Sequence, residues 1–102
     1  MLLGGLEIVL LALLLGGAAI ALAMISIAAV MEVIYKYWDD LDDEVLIIDP
    51  KASSELAKIA KQKGSKKHKR FVYNPVTREA LLVESNSISN QLEDEDVVYI
   101  TI

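Results

Sequence analysis

The sequence predicts a membrane-associated chain: one long N-terminal transmembrane α-helix followed by a small α/β domain of order β-α-β-β-β. Three observations predict it. An uncharged run extends from Ile8 to Met31, an acidic cluster then ends the hydrophobicity abruptly, and the remainder alternates short apolar segments with turn signals. The expected organisation is a span with an interfacial aromatic end at 1–38, an acidic junction at 39–44, and a head domain at 45–102 with a basic loop at 58–70.

The span is justified by length and by chemistry. Ile8 to Met31 is 24 residues in which Ser26 carries the only hydrogen-bonding side chain. As a helix this run covers about 36 Å, against about 30 Å of bilayer hydrocarbon. A remainder of this size cannot cover so apolar a helix on all sides, which excludes a buried helix as the first choice. Ala21-Leu22-Ala23 has the small-x-small form of a signal-peptide cleavage site, but no Lys or Arg precedes the run and the run is too long, so it is expected to be retained.

Within the span, Ala12, Gly16, Ala19, Ala23 and Ser26 recur at intervals of four and three, a seam of small side chains. In lipid, helices associate by close backbone approach rather than by burial, and small faces permit that approach. The seam is therefore expected to pack helix to helix. Glu32, Tyr35, Lys36, Tyr37 and Trp38 follow as an amphipathic cluster with the composition of a membrane–water boundary. Lys36 and Lys51 lie after the span and no cation lies before it, which favours the C-terminal domain on the cytoplasmic or inner side.

Each element of the head has its own signal. Val45 to Ile48 is a short apolar strand. Asp49-Pro50 reads as a helix start, with Asp at the N-cap and Pro at the first helical position. Leu56, Ile59 and Ala60 share a helical face with Ala52, and Gly64 supplies the stop. Phe71 to Tyr73 and Ala80 to Val83 flank an Asn74-Pro75 turn and read as a hairpin, with a helix from Pro75 as the competing reading. Val97 to Ile102 is β-branched and aromatic, a last strand.

The net charge of −5 conceals two opposed blocks, acidic at 39–44 and basic at 58–70. Lys58, Lys61, Lys63, Lys66, Lys67, Lys69 and Arg70 fall within thirteen residues that contain no acid. Such a patch attracts nucleic-acid phosphates or anionic lipid headgroups. Phe71 and Tyr73 follow it and could stack on bases, although alternation makes them sheet residues.

Chemistry beyond binding finds little support. There is no cysteine, and His68 is the sole histidine, set among lysines. Gly64-Ser65-Lys66 lacks the upstream glycine of a nucleotide-binding loop, and the acids at 39–44 lack a calcium-loop pattern. No catalytic residue, metal ligand or cofactor is expected.

In outline, a long apolar helix bearing a β-rich head is similar to type IV pilins, and Gly4-Gly5-Leu6-Glu7 resembles a short prepilin leader. The pilin pattern places its glutamate at the fifth mature position, whereas Glu7 would be the second. The layout is also similar to small membrane proteins beneath the capsids of membrane-containing viruses. The expected function is accordingly a non-enzymatic, single-span structural or assembly subunit of an ordered multi-copy assembly, such as a virion or filament. The alternatives are a membrane tether whose basic loop binds nucleic acid or anionic lipid, and an accessory subunit of a membrane complex. Expected partners are the lipid bilayer, further copies or other membrane or capsid-type subunits, and a polyanion at the basic loop.

Overall fold

The computed structural model describes residues 19–38, 44–52 and 54–101. In chain order the elements are β1 (Ile20–Ala21), α1 (Ile27–Tyr37), β2 (Glu44–Ile48), a 3-10 turn (Pro50–Ala52), α2 (Ser54–Lys63), β3 (His68–Asn74), β4 (Glu79–Ser85), α3 (Asn90–Glu93) and β5 (Val97–Thr101). The five strands form one sheet in the order β1-β4-β3-β2-β5. Only the β1–β4 pair is parallel; β4–β3, β3–β2 and β2–β5 are antiparallel.

Alternation along the strands divides the core. Val45, Ile47, Val72, Leu81, Val83 and Ile100 face one side, where they meet Ile25, Val30, Val33, Ile34 and Trp38. Ile48, Phe71, Tyr73, Ala80 and Leu82 face the other, where Leu56 and Ala60 of α2 cover them. The result is a sheet sandwiched between α1 and α2, both faces dry, as the near-continuous apolar reading of β4 requires. Burying a side chain such as Val30 or Ile34 contributes about 1.5–3 kcal/mol, so α1 is held mainly by its Val30, Val33, Ile34 stripe.

This overturns the predicted transmembrane helix and the membrane-spanning fold class built on it. No helix among the described residues is long and apolar enough to cross a membrane. Ile20 and Ala21 are extended and pair with Val83 and Glu84. Ser26 is also extended, with φ −136° and ψ 164°, and its Oγ accepts a hydrogen bond from Ala29 N at 3.1 Å. A helix starts at this cap and cannot run through it. The physical reason for the error is that an uncharged run does not distinguish a span from a buried edge strand followed by a capped helix, once a sheet is present to cover both.

The packing seam fails for the same reason. Ala19 packs in the α2-side core, Ala23 is exposed with its carbonyl accepting from Ser85 Oγ at 3.0 Å, and Ser26 is a cap, so these three do not share one helix. Ala12 and Gly16 lie outside the described residues, as do residues 1–18 generally and Asp39–Asp43 of the acidic junction.

The other elements are close to the sequence reading, with two adjustments. Asp49 caps a 3-10 turn rather than α2 itself: its Oδ1 accepts from Lys51 N at 2.9 Å, and α2 begins at Ser54. At the hairpin, Asn74 Oδ1 accepts from Val76 N at 3.0 Å and Asn74 O from Arg78 N at 2.8 Å, with Arg78 at φ 60°. That turn selects the hairpin over the competing helix.

Candidate anion-binding site

The seven clustered cations separate once the chain folds. Lys58 and Lys61 are exposed on α2, Lys63 is half-buried at its last turn, Lys66 and Lys67 are exposed in the following loop, and Lys69 and Arg70 lie on β3. Four of them, Lys61, Lys67, Lys69 and Arg70, converge with Asp49, Pro50, Ala57 and Ala60 around one concavity of about 220 Å³. The structure does not bring Lys58, Lys63 or Lys66 to this wall.

Arg70 is the most constrained of the four. One residue past the last β2–β3 pair, Ile48–Phe71, stands Asp49, and its Oδ2 lies 3.3 Å from Arg70 Nη2. The two side chains are only 7% and 10% exposed, so the ion pair is largely dry. Arg70 Nη1 donates to Lys69 O at 2.7 Å, and Nη2 reaches Glu93 O at 3.3 Å and Leu92 O at 3.4 Å, which ties β3 to α3. Its Nε is buried with no acceptor among the described residues. Lys51, itself exposed, bridges Asp49 and Asp96 at 3.7 Å each.

The lysine-rich loop is held down from beneath. Glu84, buried on β4, accepts from Ser65 N at 2.7 Å and from Lys66 N at 2.9 Å through a single oxygen, Oε1. Asn86 Oδ1 accepts from Lys67 N at 3.1 Å. Gly64 makes this closeness feasible, because a Cβ there would stand 2.7 Å from Glu84 Oε1 and 2.6 Å from Lys69 Cε. Lys69 Nζ then donates to Lys66 O at 2.6 Å, which fixes the ammonium while leaving two of its three N–H bonds for a ligand.

Electrostatically the wall is four cations against one carboxylate. No acid among the described residues forms an ion pair with Lys61 or Lys67. An anion of about phosphate size entering here meets ammonium groups from two elements and a loop.

Asp49, Glu84 and Asn86 were not among the sequence-derived candidates. Asp49 read as a helix cap, and Glu84 carried the one available signal, an acid on the same strand face as Ala80 and Leu82. The aromatic neighbours do not serve as stacking platforms: Phe71 is fully buried and Tyr73 is 4% exposed. Burial raises the Tyr73 hydroxyl above its usual range, an effect that nearby Arg78 partly offsets.

The predicted membrane-interface residues fall on the opposite side of the sheet, at the end of α1. Trp38 is buried and donates from Nε1 to Glu79 Oε1 at 3.0 Å, whereas Tyr35 and Tyr37 are exposed. Glu32, Lys36 and Tyr37 border a second groove of about 260 Å³ beside β1. Comparison with protein families, curated proteins and solved structures finds no match.

Proposed function

We propose that this protein is a non-catalytic binding module for nucleic acid, held through its phosphates at the corner between α2 and β3. The observation that carries the reading is the convergence of Lys61, Lys67, Lys69 and Arg70 on one concavity with a single opposing carboxylate. With Phe71 and Tyr73 in the core, no stacking residue lines the concavity. Recognition there is by backbone charge and is insensitive to base sequence.

A lipid surface fits less well. Interfacial binding needs apolar side chains that enter the acyl boundary beside the cations. The exposed large hydrophobics, Met24, Tyr35, Tyr37, Val76 and Tyr99, are absent from the wall of this concavity.

The test is fluorescence anisotropy of a labelled single-stranded oligonucleotide across a salt series, beside co-sedimentation with vesicles rich in anionic lipid. Affinity should fall linearly with the logarithm of salt. The slope should drop by about two in a Lys61→Gln, Lys67→Gln variant, one for each lost phosphate contact. Vesicle binding without oligonucleotide binding, or a slope unmoved by the double substitution, would refute the proposal.

A further inference from the structure

The shape of the concavity points to something narrower than a track for a polymer backbone, and this inference rests on the nucleic-acid reading above. We infer that the Lys61–Lys67–Lys69–Arg70 pocket is a receptor for a terminal phosphomonoester, the phosphate at the end of a strand.

Three features carry it. The first is size. About 220 Å³ is below the roughly 300–1,000 Å³ of pockets that enclose a drug-sized ligand. It accommodates a phosphoryl group and part of its sugar, not a run of nucleotides.

The second is donor geometry. A terminal phosphomonoester presents three acceptor oxygens and about −1.5 to −2 charge at neutral pH, whereas an internal diester has two non-bridging oxygens and a single charge. Three lysines face the cavity from separate positions: Lys61 on a helix, Lys67 in the loop and Lys69 on a strand. Lys69 is fixed by its bond to Lys66 O, and the loop bearing Lys67 is fixed by Glu84 and Asn86. One ammonium per oxygen is a match for the monoester and leaves a lysine over for the diester.

The third is the buried guanidinium. Arg70 is only 6% exposed yet forms part of the wall, and its Nε has no acceptor among the described residues. A buried cation with an unused donor is costly. A dianion in the adjoining cavity offsets that cost where a neutral or weakly charged group does not.

The experiment compares two labelled oligonucleotides of identical sequence, one ending in a 5′-phosphate and one in a 5′-hydroxyl, with the full chain at fixed salt. The phosphorylated end should bind about tenfold tighter or better, the worth of one further charge-assisted hydrogen-bond set. In the Lys61→Gln, Lys67→Gln variant the two affinities should become equal, and because both positions are exposed the variant should fold as the parent does. Equal, salt-dependent binding of both oligonucleotides to the parent overturns the end-specific inference and leaves the general reading standing. Failure of both to bind overturns the general reading and this inference with it.

Discussion

Removing the carboxylate of Asp49 is the most informative single perturbation of this fold. Asp49 Oδ2 is the only acid oxygen within 4 Å of the Arg70 guanidinium among the described residues. With side-chain exposures of 7% and 10%, water replaces it poorly. In Asp49→Ala the cation keeps one short bond, to Lys69 O at 2.7 Å, and two long ones at 3.3 and 3.4 Å. Breaking a buried pair from one side costs about 3–5 kcal/mol. The lost cap bond to Lys51 N belongs to the same total. Against a slope of about 1–3 kcal/mol per molar urea, the unfolding midpoint should fall by about 2 M. Asp49→Asn retains the Oδ1 acceptor and should lose roughly half as much, about 2 kcal/mol. Asp49→Ala combined with Arg70→Met removes both charges and should recover most of the stability. A loss below about 1 kcal/mol in Asp49→Ala, or additive losses in the double variant, would refute the account of Arg70 as a buried cation dependent on one partner. The same Asn substitution has an opposite sign in binding: it removes the one carboxylate of the pocket and should tighten oligonucleotide affinity in a protein that is less stable.

Further outcomes follow from other contacts. Ser26→Ala should cost about 1 kcal/mol in urea unfolding, since the Oγ bond to Ala29 N is the cap of α1; no change would mean that α1 is set by packing alone. Gly64→Ala should cost about 1–2 kcal/mol and weaken oligonucleotide binding together with stability, because its Cβ displaces Glu84 from the loop amides. Trp38→Phe should lower stability by about 1 kcal/mol through loss of the bond to Glu79, read from the thermal midpoint. In an absorbance titration at alkaline pH, the tyrosinate signal lost in Tyr73→Phe should lie above pH 10.0. With a folded value raised above the unfolded one, the stability contributed by Tyr73 is intact below about pH 10 and is lost as pH rises through the folded value.

The elements that sequence reading recovered are those with local causes. Asn74-Pro75 turns the chain by its own side-chain hydrogen bond, and Val45–Ile48, Phe71–Tyr73 and Ala80–Val83 are strands bounded by turn residues. The N-terminal misreading has a non-local cause. Ile20 is a strand residue only because Val83 is beside it, and Trp38 is a core residue only because Glu79 accepts its indole hydrogen. Averaged over a bilayer-length window, Ser26 read as one polar residue in a span, when its hydroxyl marked a helix boundary. The binding site divides in the same way. Charge density at 58–70 was visible, but the selection of Lys61, Lys67, Lys69 and Arg70 depends on Asp49 and Glu84, which reach them across the sheet.

The pairing of β1 with β4 has a kinetic consequence. Ile20 meets Val83 only after the intervening chain has been ordered, and the pairing covers just two residues. Closing so long a loop for so short a ladder is a late step on any folding route. Amide exchange should therefore be fastest at Ile20–Leu22 and slowest along β3. The pocket, by contrast, draws only on residues between Asp49 and Arg70, so its walls assemble before that edge closes. They should stay assembled when the edge opens.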